Sequence, residues 1–320
     1  MKPLYLLLIC FCFFLCGCST YQQDDEVDKN VAYSVVDARG KHIEFRCKPT
    51  RIISTYVYGD EILLDLVDHK RIAGLSQWVH DPGLSLGSER ARDVKVIVEN
   101  NIESLISLNP DLILLPSTTK LDYVESLEEV DQKVYLYQAA SRAQHIPDMI
   151  KSIGAAVGEQ KQANKIIENM QERLARVEKK VARIPQSKRE NALLFLRFGA
   201  IGGKGSIFND TMTMAGIEDC YHRARSEEDT KPGVSRILSK EEAVKANPST
   251  IILSSWSQAG AYHNSEQLIA EMYNDPAYAD VEAIKNKNVI VIPQGYVNCL
   301  SQNIALGVEK LYEAVYERAE

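Results

Sequence analysis

The stretch Ile102-Glu103-Ser104-Leu105-Ile106-Ser107-Leu108-Asn109-Pro110-Asp111-Leu112-Ile113-Leu114-Leu115 decides the fold. It reads as a short helix, an Asn-Pro stop and a buried strand. Proline cannot continue a helix and disfavours helical backbone in the residue before it. The unbroken apolar run that follows suits a strand covered on both faces. The same arrangement recurs further along. Glu241 is followed six residues later by Asn247-Pro248, then Ser249-Thr250 and the run Ile251-Ile252-Leu253. One copy lies in each half of the chain, and a repeat of this kind predicts two pseudo-symmetric lobes.

The segments around each copy fit that plan. A hairpin is expected from Tyr33 to Arg46, turning at Arg39-Gly40. Strand-like runs follow at Arg51–Thr55, Arg71–Leu75, Asp111–Leu115 and Lys133–Tyr137, with helical patterns such as Asp60–Val67 and Ile102–Leu108 between them. The second half repeats the theme at Ala192–Leu196, Thr250–Leu253 and Val289–Ile292, and closes with a helix from about Asn303 to Arg318. Strand–helix alternation predicts α/β lobes with mostly parallel sheets of Rossmann type. Between the halves, apolar residues recur at spacings of three and four from Ile146 to Val181, with Pro147 suited to a first turn and Pro185 to a stop. This predicts one long linking helix over 145–185, with Gly158 as a point where it breaks. The lobes are expected over 33–144 and 186–320. A short coiled-coil seam is the competing use of the linking stripe.

The 320 residues are 45% hydrophobic and 25% charged, with a net charge of −7 and no basic block. That balance describes a folded chain of two domains and argues against nucleic acid as the partner. The first residues are different material. Lys2 precedes an apolar run, Leu6–Leu15, that is short for a membrane span and suits a secretory signal. Leu15-Cys16-Gly17-Cys18 resembles the lipobox of bacterial lipoproteins, with Cys16 a departure at a position that usually holds Ala, Ser or Thr. The resemblance implies a signal over 1–17, a lipid on Cys18 and membrane attachment through it. A plain Cys-rich signal peptide is the alternative. Residues 18–32 read as a polar tether. Cys47, Cys220 and Cys299 then remain, which is neither a disulfide framework nor a CxxC metal site, although a Cys220–Cys299 bridge stays open.

The mature chain resembles substrate-binding proteins of ABC importers of the iron-siderophore, heme and cobalamin type. The resemblance is carried by Arg51-Ile52-Ile53-Ser54 with Asp60-Glu61-Ile62-Leu63, by Arg71-Ile72-Ala73-Gly74, and by Ile102–Ile113. In the second half it is carried by Gly205-Ser206-Ile207-Phe208, Leu238–Pro248, Val281–Asn286 and Val289-Ile290-Val291. It implies two lobes joined by a long stiff helix, a ligand held between them, no catalysis and no resident cofactor. Its implied partners are an ABC permease dimer with its ATPase, met by a monomeric receptor outside the cytoplasm. It also implies that one exposed glutamate per lobe, Glu103 and Glu241, pairs with permease arginines, with Glu242 as the fallback for Glu241.

Ligands of open parallel sheets meet the loops after the carboxyl ends of strands. Those loops carry Tyr56, Tyr58, Trp78, His80 and Ser117 in the first half. In the second half they carry Arg197, Trp256, Tyr296 and Asn298. Aromatic faces among scattered donors suit a large, flat chelate, a ferric siderophore or corrinoid ahead of heme. Arg197 offers a partner for an anionic chelate, and His80 or a tyrosine an axial ligand for heme iron. A bare metal ion fits less well, because the six histidines are dispersed. A two-lobe metal chelatase is the enzyme alternative, and the N-terminal signal argues against it. Gly199–Ser206 is glycine-rich but lacks P-loop spacing, and neither GxSxG nor HExxH occurs.

Overall fold

The computed structural model describes residues 31–99, 101–196, 198–225, 236–255 and 265–317. It opens with an antiparallel hairpin of β1 (Tyr33–Val36) and β2 (His42–Phe45). Asp37 closes the turn by accepting the backbone N–H groups of Arg39 and Lys41, and Gly40 takes φ +82° there.

The N-terminal lobe continues with β3 (Ile52–Ser54), α1 (Val57–Leu66), β4 (Ile72–Ser76), α2 (Ser88–Ala91) and β5 (Ile97–Val98). After these come α3 (Ile102–Ser107), β6 (Leu112–Pro116), α4 (Leu121–Glu129) and β7 (Val134–Tyr137). The five strands from β3 to β7 form one parallel sheet in the order β5-β4-β3-β6-β7. The chain steps outward from β3 to β5, then returns to lay β6 on the other side of β3. The strand order therefore reverses between β3 and β6, where a parallel sheet opens a crevice at its carboxyl edge. Every residue of β3 and β6 is buried, which accounts for their unbroken apolar runs.

The linking segment is helical, but in two pieces. α5 (Ile146–Ala156) ends where Gly158 adopts φ +75°. The Gly158 N–H reaches the Ala155 carbonyl and the Glu159 N–H reaches that of Gly154, the paired bonds of a glycine-terminated helix. α6 (Gln160–Val181) then runs 22 residues, about 33 Å at ~1.5 Å per residue. The linking helix expected over 145–185 thus breaks at Gly158, where the sequence suggests: α5 packs on α1 and β7 of the first lobe, and α6 alone is the strut. Its buried stripe, Ala163, Ile166, Ile167, Met170, Val177 and Val181, is covered within the chain by α1 and by two helices of the second lobe, α7 (Ile207–Met214) and α13 (Ile304–Tyr316), rather than left for a coiled-coil partner.

The C-terminal lobe comprises β8 (Asn191–Leu196), β9 (Gly199–Ile201), α7 (Ile207–Met214), β10 (Glu218–Asp219), α8 (Tyr221–Ala224), α9 (Lys240–Ala246) and β11 (Thr250–Ser255). It closes with α10 (Ser265–Asn274), α11 (Glu282–Lys285), β12 (Val289–Pro293), α12 (Gln294–Val297) and α13 (Ile304–Tyr316). Its parallel strands run β10-β8-β11-β12, and β9 folds back antiparallel on β8. The order reverses between β8 and β11. One cluster of buried side chains runs from the first lobe through α5 and α6 into α7, α12 and α13, so the lobes share a core. Two smaller clusters fill the outer face of each sheet.

Candidate functional site

β3 ends at Ser54, and the backbone stays extended at Tyr56 before α1 begins. This brings Tyr56 out at the switch point with 44% of its surface exposed, while the α1 face below it is buried. Tyr58 stands edge-on to Tyr56, ring centroids 5.3 Å apart, and its hydroxyl donates to the Asn298 carbonyl at 2.9 Å across the lobe boundary. Tyr56, Val57, Tyr58, Trp78 and Leu84 from the first lobe, with Gln294 and Asn298 from the second, enclose a cavity of about 230 Å³. A second cavity of about 320 Å³ shares Tyr56 and runs along Thr55, Pro116, Thr118, Thr119, Lys120 and Tyr123. Tyr56 therefore divides one groove lying over the carboxyl ends of β3 and β6. The walls of the first cavity are aromatic rings, aliphatic groups and neutral amides, suited to a broad ligand with apolar faces.

Two adjacent carboxylates lie under this groove. Asp60 is fully buried, and its Oδ2 accepts the backbone N–H (3.1 Å) and hydroxyl of Ser76. Among the described residues its Oδ1 has no hydrogen-bond partner, nor do the nearby Ser54 Oγ and Tyr137 hydroxyl. Burial pushes the Asp60 carboxyl up to about 7, against the pull of the Ser76 hydrogen bonds. Burial also drives the Tyr58 and Tyr137 hydroxyls well above their ordinary value, so both stay protonated. Glu61, 1% exposed, faces the other lobe and accepts hydrogen bonds from both.

Of the candidates read from sequence, the structure gathers Tyr56, Tyr58, Trp78 and Asn298 around one cavity. Three others do not line either cavity. Ser117 spends its hydroxyl accepting the Ala139 N–H, joining the ends of β6 and β7. His80 ends a short turn after β4, with its Nε2 buried and unpartnered and the ring held below its ordinary value by desolvation. Tyr296 packs on the shared core in α12, where α13 approaches so closely that a Cβ at Gly307 would overlap the Tyr296 carbonyl. Arg197, Trp256 and Cys18 lie outside the described residues. Cys220 and Cys299 are both buried and unpaired, in separate clusters. Leu84, Asp60 and Glu61 were not singled out as site residues. Two consecutive acids inside the apolar run of α1 were the available signal, since buried carboxylates need built partners.

Glu103 and Glu241 occupy the same place in matching helices. Each is the second residue after a capping side chain, Asn101 for α3 and Ser239 for α9, and each is exposed. Asn109 and Asn247 both take left-handed backbone, φ 45° and 44°, immediately before their prolines. Glu242 is already engaged. It completes the capping box with Ser239 and pairs with Arg236 at 2.7 Å and Arg225 at 3.4 Å.

Comparison with known proteins agrees with this architecture. The family model described as "Periplasmic binding protein" matches residues 52–296. An uncharacterized ABC transporter substrate-binding lipoprotein of Bacillus subtilis is 22% identical over 97% of this chain and 95% of its own length. A cobalamin-binding protein of Halobacterium salinarum is 23% identical over 72% of this chain and 61% of its own. Among solved structures, a possible iron-binding periplasmic solute-binding protein of Staphylococcus epidermidis superposes with a TM-score of 0.67, at 22% identity, over 84% of this chain and all of that one.

Proposed function

The chain belongs to the periplasmic binding protein family, and from that footing we propose that it is a lipid-anchored receptor that captures a metal chelate and delivers it to an ABC permease. Its relatives are transport receptors, and its place in the family is that of the substrate-binding component of an ABC transporter. The observation that carries the chelate reading is the cavity at the lobe boundary, where Tyr56, Tyr58 and Trp78 face Gln294 and Asn298 and no charged group is among the described lining residues. Aromatic faces cover the flat surface of a chelate, and neutral amides bond its rim. A ferric siderophore or a corrinoid is the preferred ligand, heme the next. The similarity to a cobalamin-binding protein favours testing the corrinoid first. Attachment through a lipid on Cys18 is supported by the lipobox-like sequence and by the lipoprotein relative that spans nearly the whole chain.

Titration of the purified protein with cyanocobalamin, a panel of ferric siderophores and hemin, followed by tryptophan fluorescence, tests the reading directly. Trp78 forms part of the cavity wall, so a ligand there quenches or shifts its emission. Saturable quenching by one class identifies the ligand. A flat response to all of them rejects the chelate.

A further inference from the structure

Among the described residues and beyond its own helix, Glu61 accepts six hydrogen-bond contacts, and they come from both sides of the groove. Its Oε1 accepts the Ser85 hydroxyl at 2.7 Å and the Leu86 N–H at 2.8 Å, both from the loop that supplies Leu84 to the cavity. Its Oε2 accepts the Ser301 hydroxyl, the Asn303 side-chain amide at 3.0 Å and the Cys299 thiol at 3.7 Å. Those three belong to the segment directly after Asn298, the residue that lines the opposite wall. The Glu61 main-chain carbonyl takes Gln302 Nε2 at 2.8 Å from the same segment. The groups that reach the carboxylate are all neutral donors. A buried carboxylate satisfied in this way is stable only while its donors stay in place, because each unmet bond leaves a charge or a donor stranded.

From this arrangement we infer that Glu61 is the positioning residue of the binding groove, a single carboxylate that sets the distance between its two walls. The inference rests on the proposed groove being the ligand site. One oxygen holds the first-lobe wall and the other the second-lobe wall, so the walls cannot separate without breaking bonds to one charge. Two neighbouring contacts run the same way: Gly295 N–H to the Gly83 carbonyl at 2.8 Å, and Tyr58 to Asn298. The groove is therefore built before ligand arrives, and binding does not have to order it.

Hydrogen-exchange mass spectrometry on the full chain in detergent tests this without any ligand. In Glu61→Ala, amides of residues 83–86 and 299–303 should exchange together, at least about tenfold faster than in the parent, although they lie in different lobes. Glu61→Gln should recover protection of Leu86, since the amide carbonyl still accepts its N–H. If Glu61→Ala fails to fold, the pair Ser301→Ala and Asn303→Ala removes the second-lobe donors and should release 83–86 less than 299–303. Unchanged exchange, or loosening confined to α1, overturns the inference. A second arm measures cyanocobalamin, ferrichrome and hemin binding. Whichever probe binds the parent should bind Glu61→Ala at least about tenfold more weakly, and equal affinity overturns the positioning role. If no probe binds the parent, the chelate reading fails while the exchange experiment still decides the role of Glu61.

Discussion

The two lobes carry one helix–strand repeat but tie it to the neighbouring strand with different side chains. In the first lobe, Asp111 supplies the acceptor. Its carboxylate takes the Thr50 N–H at 2.7 Å, the Thr50 hydroxyl at 2.9 Å and the Arg51 N–H at 2.9 Å, where the chain enters β3. In the second lobe, Ser249 stands at the matching position; its hydroxyl accepts the Asn191 N–H at 3.2 Å and lies within donor reach of Glu190 Oε2 at 2.6 Å and the Asn191 carbonyl at 2.9 Å, where the chain enters β8. The acid has moved from the repeat to the strand it meets. The accepted strand N–H is kept, by a carboxylate in one lobe and a hydroxyl in the other, so the strand junction is common to both lobes. The two glutamates that the lobes place alike, Glu103 and Glu241, have no such use inside the fold.

That contrast gives the largest expected effect. Charge reversal of both exposed glutamates, Glu103→Lys with Glu241→Lys, should abolish uptake in cells while leaving chelate affinity and melting temperature close to the parent. On our proposal that the two glutamates dock to a two-fold permease, they set orientation and association rate more than affinity, so each single variant should slow uptake and only the pair should end it. Normal uptake by the double variant rejects the docking role. Lost chelate binding relocates the glutamates to the groove. Glu242, the alternative to Glu241, has its carboxylate engaged by Ser239, Arg236 and Arg225.

A smaller effect separates the buried aspartates of the two lobes. Burial raises both Asp60 and Asp219 above the usual carboxylate range. Asp219 has donors on both oxygens, Tyr221 N–H on one and Gly203 N–H on the other, whereas Asp60 Oδ1 has none. An acid whose folded value lies above its unfolded one favours the folded state fully below the unfolded value of 3.8, and that contribution is lost as pH rises through about 7. Asp60→Asn removes the titration. Its Nδ2 can donate to Ser54 Oγ and the Tyr137 hydroxyl, and its Oδ1 can keep the Ser76 bonds. Denaturant unfolding should find the variant more stable than the parent at pH 8 by about 1–3 kcal/mol, with the gain shrinking toward pH 5. A variant less stable at pH 8 would mean that the ionised carboxylate has a partner in solution.

Much of this fold was legible before any coordinates. Asn-Pro marked both helix stops because proline forbids continuation and asparagine tolerates left-handed backbone, and the structure has both residues near φ 45°. The runs in β3, β6, β8 and β11 were legible because burial on two faces leaves no polar alternation. The two-residue strands β5 and β10 were not, since their pairing depends on neighbours distant in sequence. In the groove, Tyr56, Tyr58, Trp78 and Asn298 followed from strand ends alone. Ser117 and Tyr296 come from the same kind of loop but do not line the groove. One is held by a hydroxyl bond and the other by helix packing, and neither leaves a trace in a single sequence.

The smallest effect probes the repeat at its two helix stops. Asn109 and Asn247 share a left-handed conformation that glycine adopts freely, so backbone preference alone predicts the same outcome for Asn109→Gly and Asn247→Gly. Their side chains differ. Asn247 Oδ1 accepts the Glu282 N–H at 2.9 Å and so anchors the start of α11. At the first stop it is the Asn109 main-chain carbonyl that is used, by Arg51 Nε at 2.9 Å, and glycine retains that carbonyl. Asn109→Gly should therefore change stability by no more than a few tenths of a kcal/mol, and Asn247→Gly should cost about 1 kcal/mol, the usual net worth of one hydrogen bond. Asn109→Ala and Asn247→Ala should both cost about 1 kcal/mol or more, because a Cβ disfavours left-handed backbone at each site. Chemical denaturation of the four variants resolves these differences. Equal losses for the two glycine variants would show that backbone shape alone, and not the α11 anchor, is what the second stop contributes.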